Sequence, residues 1–298
     1  MSASETSARA TGYLGVDLGG TRMRLALFDE TGRIEQKNVS QTDPEHPECL
    51  VEAMRSLLRE TPLRIERAVV GVPGPISYRD GVPLKLPNLP KWEGRLSAPQ
   101  LEEDLDVPVK LANDADLAAL GEHRFGAGRG VSDMLYVTSS TGVGAGVIVD
   151  GRLLRGRWSM AEAGHMVIDW KTGETVEWLG SGSTLARLSG LDGPALDKLI
   201  LAGDARAAAI FASVAEAFAV GVHNLVHCFM PERVVIGGGV SRSGELLLGP
   251  LRARLESCTD GCSVGGRDVF IAAAGDDVGL LGAFAYAREL AGQSEAAG

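Results

Sequence analysis

The sequence is poor in cysteine and lacks any long apolar run. Its 298 residues include four cysteines, at positions 49, 228, 258 and 262, which argues against a disulfide scaffold. No uninterrupted apolar stretch approaches the roughly 18 residues of a membrane span. The start, MSASETSARATG, has no apolar core of a secretory signal and is predicted to be a frayed tail. We therefore expect a cytoplasmic protein without a membrane partner.

Positive charge is also scarce. Lysine and arginine number 29 against 39 acidic residues, so the net charge is −10. Such a chain is a poor general binder of nucleic acid, and any phosphate has to be bound by local groups. The apolar content of 45% and the charged content of 23% are typical of a soluble globular protein, and the length suits two domains.

Several well-known functional motifs are absent. The chain has no G-x-S-x-G, no H-E-x-x-H, no P-loop and no dinucleotide-binding glycine pattern. His223 and His227 lie four residues apart, but no third ligand is near in sequence, which favours an ordinary helix face. Cys258 and Cys262 have no second cysteine pair, which argues against structural zinc there.

The pattern that is present predicts an α/β fold. Three strands begin the chain, and helices and strands then alternate, which indicates a mixed sheet. The segment 13–34 and the segment 135–154 each read as strand, glycine turn, strand, Asp and Gly, and third strand. This internal repeat predicts two related lobes with the ligands between them.

The second half is richer in helix. Apolar spacing predicts a helix that starts at Asp204 and ends at Pro231. A further helix after Ser241 is expected to be interrupted near Pro250, and a last helix closes the chain.

Three glycine-rich turns each follow a predicted strand: Gly19-Gly20-Thr21, STGVGAG at 140–146, and Gly237-Gly238-Gly239. Each turn alone is consistent with a tight hairpin, but three of them in a duplicated chain favour phosphate binding. Asp17 precedes the first turn, where it either caps the turn or holds Mg²⁺, directly or through water. Thr21 and Arg22 offer a hydroxyl and a cation to phosphate.

Acidic residues gather at two other places. Asn113, Asp114 and Asp116 stand where a strand meets a helix, and they either cap the helix or place an acid in the cleft. The stretch MAEAGHMVIDWKTGETVEW at 160–178 holds a histidine and four carboxylates. Its residues alone are consistent with a metal site, an acid/base site, a polar ligand site or a solvated loop.

These motifs occur together and in order in one family. The stretches GVDLGGTRMRLALFD, GVPGPI, NLPKWEG, LANDADLAALGE, STGVGAGVIVDG, EAGHMVID and VVIGGGVS resemble those of the ROK sugar kinases, from about Tyr13 to about Leu290. The resemblance implies a two-lobed actin/hexokinase-like fold, which is a duplicated ribonuclease H-like fold. It implies a small α/β lobe at 12–115, closed by a C-terminal helix at about 278–292, and a larger α/β lobe at 116–277.

The resemblance also implies the activity and its residues. The expected reaction is ATP-dependent phosphorylation of a hexose, usually at the 6-hydroxyl, by a homodimer. Asp114 matches the catalytic base, and sugar binding is assigned to Asn88, Asn113, Asp114, Glu162, His165 and Glu177. ATP and Mg²⁺ are assigned to Asp17, Gly19, Gly20, Thr21, Arg22, Thr141, Gly142, Gly144, Gly237, Gly238 and Gly239.

Two departures from the family pattern are informative. The cysteine motif that binds structural zinc after the Gly-His pair is missing, so we expect no zinc and a loop ordered by packing of Trp170 and Trp178. Asp116 stands where many relatives have asparagine. It either attracts an amino sugar or is a first-turn acid favoured by the helix dipole, and the second interpretation is preferred.

The sequence thus predicts a hexose kinase, with glucose as the first substrate candidate and the 3-amino sugar kanosamine as the second. A sugar-responsive transcriptional regulator and a non-catalytic sugar-binding protein are the alternatives. The regulators of the family carry a DNA-binding segment before the first glycine motif, where this chain has about a dozen small polar residues and an acidic net charge.

Overall fold

A computed structural model describes residues 9–159, 162–258 and 264–296. The chain divides into two compact units. The first holds the residues up to 117, together with 157–159 and the residues from 276 onward. The second holds the remaining residues between 118 and 275. Residues 1–8 of the predicted tail and the side chains of Cys258 and Cys262 lie outside the description. Thr11 and Gly12, which were predicted to belong to the tail, instead begin the first strand.

The first unit is built on a five-stranded mixed sheet. The strand order is β3-β2-β1-β4-β7. Strands β1, β4 and β7 are parallel, whereas β2 and β3 run antiparallel to their neighbours. The strands are β1 (Thr11–Leu18), β2 (Arg22–Asp29), β3 (Ile34–Gln41), β4 (Arg64–Val72) and β7 (Val109–Asn113), with the small hairpin β5 (Ile76–Ser77) and β6 (Val82–Pro83).

Apolar residues fix the layers of this unit. Most residues of β1 and β2 and the second half of β4 are buried, as expected of strands covered on both faces, whereas the edge strand β3 alternates between partly buried and exposed residues. Phe284 stacks on Phe28 with ring centroids 5.0 Å apart, which fastens the last helix to β2. The helices are α1 (Glu48–Glu60), α2 (Ala98–Leu105), the first turn of α3 (Asp114–Phe125) and α9 (Val278–Ala296).

The second unit repeats this plan. The strand order of its sheet is β10-β9-β8-β11-β12. In each unit the first strand lies at the centre of the sheet, with the second and third strands on one side and two later, parallel strands on the other. The predicted internal duplication is therefore confirmed. The strands are β8 (Met134–Ser139), β9 (Val143–Val149), β10 (Arg152–Leu153), β11 (Arg233–Gly237) and β12 (Val269–Ile271).

The long helix α7 forms the centre of the second unit. It begins after Asp204, whose side chain accepts a hydrogen bond from the Ala207 N–H, and its buried face includes Phe211, Phe218 and Leu225. Within the described chain, α7 is the one helix long and apolar enough to cross a membrane, yet half of its apolar window is buried inside the protein. That burial is typical of a core helix. The helices are α4 (Val176–Gly180), α5 (Gly182–Ser189), α6 (Gly193–Leu201), α7 (Ala205–Phe229) and α8 (Glu245–Cys258).

One helix differs from its prediction. A short 3₁₀ turn covers Gly239–Ser243, and α8 then starts at Glu245 and continues through Pro250 without a break. Because proline has no N–H, the carbonyl of Leu246 loses its helical donor. Leu246 is an exposed residue at the start of the helix, where such a loss is tolerated.

Candidate active site

In the first unit, two predicted site residues come to one edge of the sheet. Asp17 on β1 pairs with Gly71 on β4, and Gly71 pairs with Ala112 on β7, two residues before Asp114. A Cβ at position 71 would lie 2.8 Å from Leu117 and 4.0 Å from the Asp114 Cα, so glycine allows this close packing. The carboxyl ends of the parallel strands therefore carry both Asp17 and Asp114.

The first glycine turn joins β1 to β2 at the same edge. The Gly19 N–H donates to the Arg22 carbonyl at 2.9 Å, and the Thr42 hydroxyl donates to the Gly19 carbonyl at 2.8 Å. A Cβ on Gly20 would lie 2.8 Å from the Cβ of Asn88, so the turn and Asn88 are in direct contact. Thr21 and Arg22 are exposed beside them, available to a ligand.

Asp17 has an unusual electrostatic environment. Burial raises the pKa of its carboxyl group, the charge of Arg24 opposes that shift, and the charge of Asp277 adds to it. The Arg24 Nη1 lies 3.7 Å from Asp17 Oδ2, and a Cβ on Gly279, at the start of α9, would lie 3.1 Å from the Asp17 carboxyl carbon. A cation near this carboxylate would stabilise its charged form.

The carboxylate of Asp17 is a suitable ligand for a magnesium ion that binds together with a nucleotide. Mg²⁺ commonly takes one or two carboxylates and completes its shell with phosphate oxygens and water. No group of three or more His, Cys, Asp or Glu that could hold a metal occurs in the described part of the chain. The partly buried carboxylate of Asp17 is a type of ligand that Mg²⁺ takes in proteins.

The junction of β7 and α3 holds the second predicted group. Asn113 is buried, and its Oδ1 accepts hydrogen bonds from the N–H groups of Ala115 and Asp116 at 2.9 and 3.1 Å. Its Nδ2 donates to the Gly74 carbonyl at 3.0 Å. Asn113 is thus the cap of α3, one of the two roles left open by the sequence. Asp114 is partly buried in the first turn.

Asp116 has a partner that the sequence did not indicate. Its side chain is only 1% exposed, and its Oδ2 accepts a hydrogen bond of 2.6 Å from the hydroxyl of Tyr78. Tyr78 follows β5, 38 residues earlier in the chain. No periodicity or motif links the two residues, so only the folded arrangement identifies Tyr78.

In the second unit, the two remaining glycine turns lie at the ends of adjacent strands. β8 pairs with β11, so that Thr138 is opposite Gly237. Gly238 has φ of 84°, which favours glycine, and a Cβ there would collide with Thr138 and Ser139. The turn at Thr141-Gly142 joins β8 to β9, with Thr141 exposed and Gly144 on β9 opposite Thr138. The two predicted phosphate turns are therefore neighbours within this unit.

Glu162, His165 and Glu177 also belong to the second unit. Ala163–His165 forms a 3₁₀ turn, and His165 Nε2 lies 3.7 Å from Glu162 Oε2. Glu177 stands in the first turn of α4, and its Oε2 accepts a hydrogen bond from the Val143 N–H at 2.9 Å. A Cβ on Gly164 would lie 3.1 Å from the same oxygen. Glu177 therefore lies next to both the glycine turn and the residue before His165.

The loop between His165 and Glu177 is held by its own hydrogen bonds. Asp169 Oδ1 accepts hydrogen bonds from the N–H groups of Lys171 and Thr172 at 2.8 and 3.3 Å. Gly173, with φ of 78°, donates to the Asp169 carbonyl at 2.8 Å. Val167 and Thr175 then form a β-bridge. The stretch is a small hairpin closed by an aspartate turn.

The expected packing by two tryptophans is wrong for Trp170, which is 84% exposed. Trp178 does contribute, because its Nε1 donates to Glu174 Oε1 at 2.9 Å and its ring stacks on Arg187 with the guanidinium 4.3 Å from the ring centroid. Hydrogen bonds therefore hold the turn at 169–173, while Met166 and Ile168 before it pack against the core of the second unit. His223 and His227 lie on α7 with ring centroids 4.5 Å apart.

Proteins of known sequence resemble this chain over nearly its full length. A glucokinase of Thermotoga maritima is 33% identical over 310 residues, which cover 94% of this chain and 98% of the relative. A glucokinase of Streptomyces coelicolor is 29% identical over 314 residues, covering 93% of this chain and 97% of the relative.

Solved structures agree with the sequence relatives. The ROK hexokinase of Thermus thermophilus superimposes with a TM-score of 0.83 at 33% identity, over 95% of this chain and 99% of that one. A ROK family glucokinase of Streptomyces griseus, solved with glucose and AMPPNP, superimposes with a TM-score of 0.76 at 29% identity. The match covers 93% of this chain and 99% of that one. The fold is the actin/hexokinase-like fold. The ROK family model matches residues 13–290, and the chain belongs to the ROK family.

Proposed function

We propose that this protein is an ATP-dependent hexose kinase that transfers the γ-phosphoryl group to the 6-hydroxyl of its sugar. The observation that carries the proposal is the pair of carboxylates at one sheet edge of the first unit. Asp17 lies near the end of β1, which leads into the first glycine turn, and Asp114 is the first residue of α3. Phosphoryl transfer needs these two functions, charge neutralisation at the phosphates and a base for the acceptor hydroxyl.

Asp114 is assigned as the base that orients the acceptor hydroxyl and takes its proton. Asn88, Asn113, Glu162, His165 and Glu177 are assigned to the sugar hydroxyl groups, which carboxylates and amides bind well. Since Asn113 Oδ1 caps α3 and one Nδ2 proton reaches Gly74, the second Nδ2 proton is the group assigned to the sugar.

The nucleotide is assigned to the three glycine turns and the residues beside them. Backbone N–H groups in such turns accommodate phosphate oxygens because no Cβ blocks their approach. Asp17 is assigned to the magnesium ion, which neutralises the phosphate charge when bound. The residues of this set are Asp17, Gly19, Gly20, Thr21, Arg22, Thr141, Gly142, Gly144, Gly237, Gly238 and Gly239.

Glucose is the first candidate sugar, since the glucokinases of Thermotoga maritima and Streptomyces coelicolor align over nearly the full chain. Kanosamine is the second, because the zinc-binding cysteines are missing from the loop at 166–176. Asp116 does not support an amino sugar: its carboxylate is 1% exposed and accepts a hydrogen bond from Tyr78. This arrangement supports the structural interpretation of Asp116.

The proposal is tested by sugar-dependent ADP release with glucose, mannose, fructose, glucosamine, N-acetyl sugars and kanosamine. We expect glucose or kanosamine to give the highest kcat/KM, and phosphorus–proton NMR of the product to place the phosphate on the 6-hydroxyl. Binding of a sugar without ADP release across the panel would contradict the kinase and favour the sugar-binding or regulatory alternative.

We further propose a cytoplasmic homodimer without structural zinc. The aspartate turn at Asp169 supports the absence of zinc, because the loop has an order of its own. Light scattering should give twice the chain mass of 31.2 kDa, and metal analysis of the purified protein should find no equivalent of tightly bound zinc. A monomer mass or a full equivalent of zinc would refute the respective claim.

A further inference from the structure

Tyr78 lies in a hydrogen-bonded turn of the first unit. It follows β5, and the turn is closed by the Gly81 N–H, which donates to the Ser77 carbonyl at 2.8 Å. The Ser77 hydroxyl also donates to Asp80 Oδ2 at 2.6 Å. The ring of Tyr78 meets the edge of the Tyr286 ring, with centroids 6.5 Å apart. The backbone and the ring of Tyr78 are therefore both held.

The hydroxyl of Tyr78 makes two hydrogen bonds that flank Asp114 in sequence. It accepts from the Asn113 N–H at 3.3 Å and donates to Asp116 Oδ2 at 2.6 Å. Residue 113 precedes the proposed base and residue 116 follows it within the same helical turn. One phenol oxygen thus bridges the two sides of the first turn of α3.

A second contact joins the same two segments. Asn113 Nδ2 donates to the carbonyl of Gly74, which lies on the loop that leads to Tyr78. The loop at 73–78 is therefore fastened to the start of α3 at the Asn113 side chain, the Asn113 backbone and the Asp116 side chain. The residues before and after Asp114 are therefore both hydrogen-bonded to this segment.

The chemistry of the pair suits a permanent anchor. Burial raises the pKa of the Tyr78 hydroxyl well above its ordinary value, and the charge of Asp116 raises it further. The phenol therefore stays protonated and remains a donor throughout the neutral range. A hydroxyl that donates to a carboxylate over 2.6 Å is a strong, charge-assisted hydrogen bond.

We propose that Tyr78 is a positioning residue for the Asp114 carboxylate, acting through Asn113 and Asp116. This inference rests on the proposed function, since it assumes that Asp114 is the base. A small displacement of a catalytic group costs much in rate, because the base has to meet the acceptor hydroxyl in a narrow range of geometry. Tyr78 keeps Asp114 in that range and touches neither ATP nor sugar in this assignment.

The first test is Tyr78→Phe, which removes one oxygen atom. We expect kcat to fall by about 10- to 100-fold, while KM for ATP stays within about twofold, because ground-state binding of ATP does not use this anchor. The matched control is Tyr13→Phe. Tyr13 also directs its hydroxyl at a carboxylate, Glu66, over 3.4 Å, but it lies at the opposite end of β1 from Asp17. The control should keep kcat within about twofold of the parent.

A second variant separates positioning from stability. Tyr78→Phe removes a hydrogen bond from a buried carboxylate, so it is also expected to lower the melting temperature. Tyr78→Phe/Asp116→Asn replaces that carboxylate with a neutral amide, which costs less to bury. We expect the double variant to regain stability while kcat stays at least about tenfold low, since the bridge to the Asn113 N–H is still missing. If Tyr78→Phe alone does not fold, the double variant carries the test.

The kinetics of these variants distinguish a failure of the positioning role of Tyr78 from a failure of the proposed function. A Tyr78→Phe enzyme with kcat within about twofold of the parent, or a double variant that regains full kcat, would overturn the positioning role. If Asp114→Asn retains normal turnover, the base assignment itself fails. If Asp114→Asn is inactive and Tyr78→Phe is normal, only the role of Tyr78 is refuted.

Discussion

Glu177 Oε2 accepts a hydrogen bond of 2.9 Å from the backbone N–H of Val143. A side chain assigned to the sugar therefore also holds the glycine turn assigned to phosphate. Within the second unit, this single carboxylate links the two groups of residues. A ligand that moves the Glu177 side chain would therefore shift the position of the glycine turn, and a ligand bound to the turn would shift the position of the Glu177 side chain.

Replacement of Glu177 should accordingly affect both substrates. We expect Glu177→Ala to raise the KM values for sugar and for ATP by about tenfold, the range expected when a hydrogen bond to a charged group is lost. Glu177→Gln keeps an oxygen that can accept from Val143, so KM for ATP should change much less. Steady-state kinetics with each substrate varied checks this. Equal effects of the two variants on KM for ATP would contradict the role of the hydrogen bond.

The contact between Gly20 and Asn88 gives a second prediction. A Cβ at position 20 would lie 2.8 Å from the Asn88 Cβ, and neither atom is the end of a flexible side chain. Gly20→Ala should displace the turn or Asn88 and lower kcat/KM by about 10- to 100-fold.

The matched control for Gly20→Ala is Gly292→Ala. Gly292 is an exposed position in α9 with no other heavy atom within 4 Å of an added Cβ. Alanine there should leave kinetics unchanged and stabilise the fold by up to about 1 kcal/mol, the difference in helix propensity. Normal activity of Gly20→Ala would show that the turn does not need this close approach.

The charged carboxylate of Asp17 should support activity and at the same time lower the stability of the folded protein. The pKa of its carboxyl group is raised in the folded protein, mainly by burial. Protonation therefore favours folding, and the charged form lowers stability as the pH rises through the ordinary aspartate range to the folded-state pKa. We expect Asp17→Asn to raise the melting temperature at neutral pH by about 1–3 °C. The gain should disappear in acid, where both side chains are neutral.

The same variant should lose activity, since a neutral amide is a poorer partner for Mg²⁺. The magnesium concentration for half-maximal rate should rise, and kcat should fall by about 100-fold or more. Thermal denaturation across pH and magnesium titration of the rate are the two measurements. A variant that is less stable than the parent at neutral pH would contradict the electrostatic account of Asp17.

The aspartate turn gives a prediction about the loop next to the sugar residues. The N–H groups of Lys171 and Thr172 lower the pKa of Asp169, so the turn is stabilised above the ordinary aspartate range and loosens as the pH falls through the folded-state value. Asp169→Ala removes the acceptor and should raise KM for the sugar severalfold, with faster proteolysis at 169–173. Asp169→Asn keeps an oxygen acceptor and is the control. Similar KM values for the sugar in both variants would argue against a role of the aspartate turn in sugar binding.

Much of the fold follows from local sequence patterns. The strand–turn–strand repeat predicted the duplication, because glycine turns and alternating apolar residues are local properties. The aspartate turn was not predicted: the loop was expected to be ordered by tryptophan packing, whereas a hydrogen bond from the Gly173 N–H to the Asp169 carbonyl closes a five-residue turn. The expected packing of Trp170 failed because an aromatic residue is buried only when another element covers it, which the sequence does not show.

The contact of Tyr78 with Asp116 could not be predicted from the sequence at all. The two residues are 38 positions apart, and their pairing depends on how the β5–β6 hairpin lies on the start of α3. The continuous helix through Pro250 has a similar cause. Local rules predict a break, whereas the apolar core, including Leu247, Leu248 and Leu251, holds the helix in place.

The central claim is that Asp114 is the base of a sugar kinase. Its most direct test is sugar-dependent ADP release by Asp114→Asn, with sugar binding measured by calorimetry on the same preparation. We predict that kcat falls by at least about 100-fold, the usual contribution of a general base, while the dissociation constant of the sugar stays close to that of the parent. A variant that binds the sugar and turns over at a near-normal rate would contradict the account.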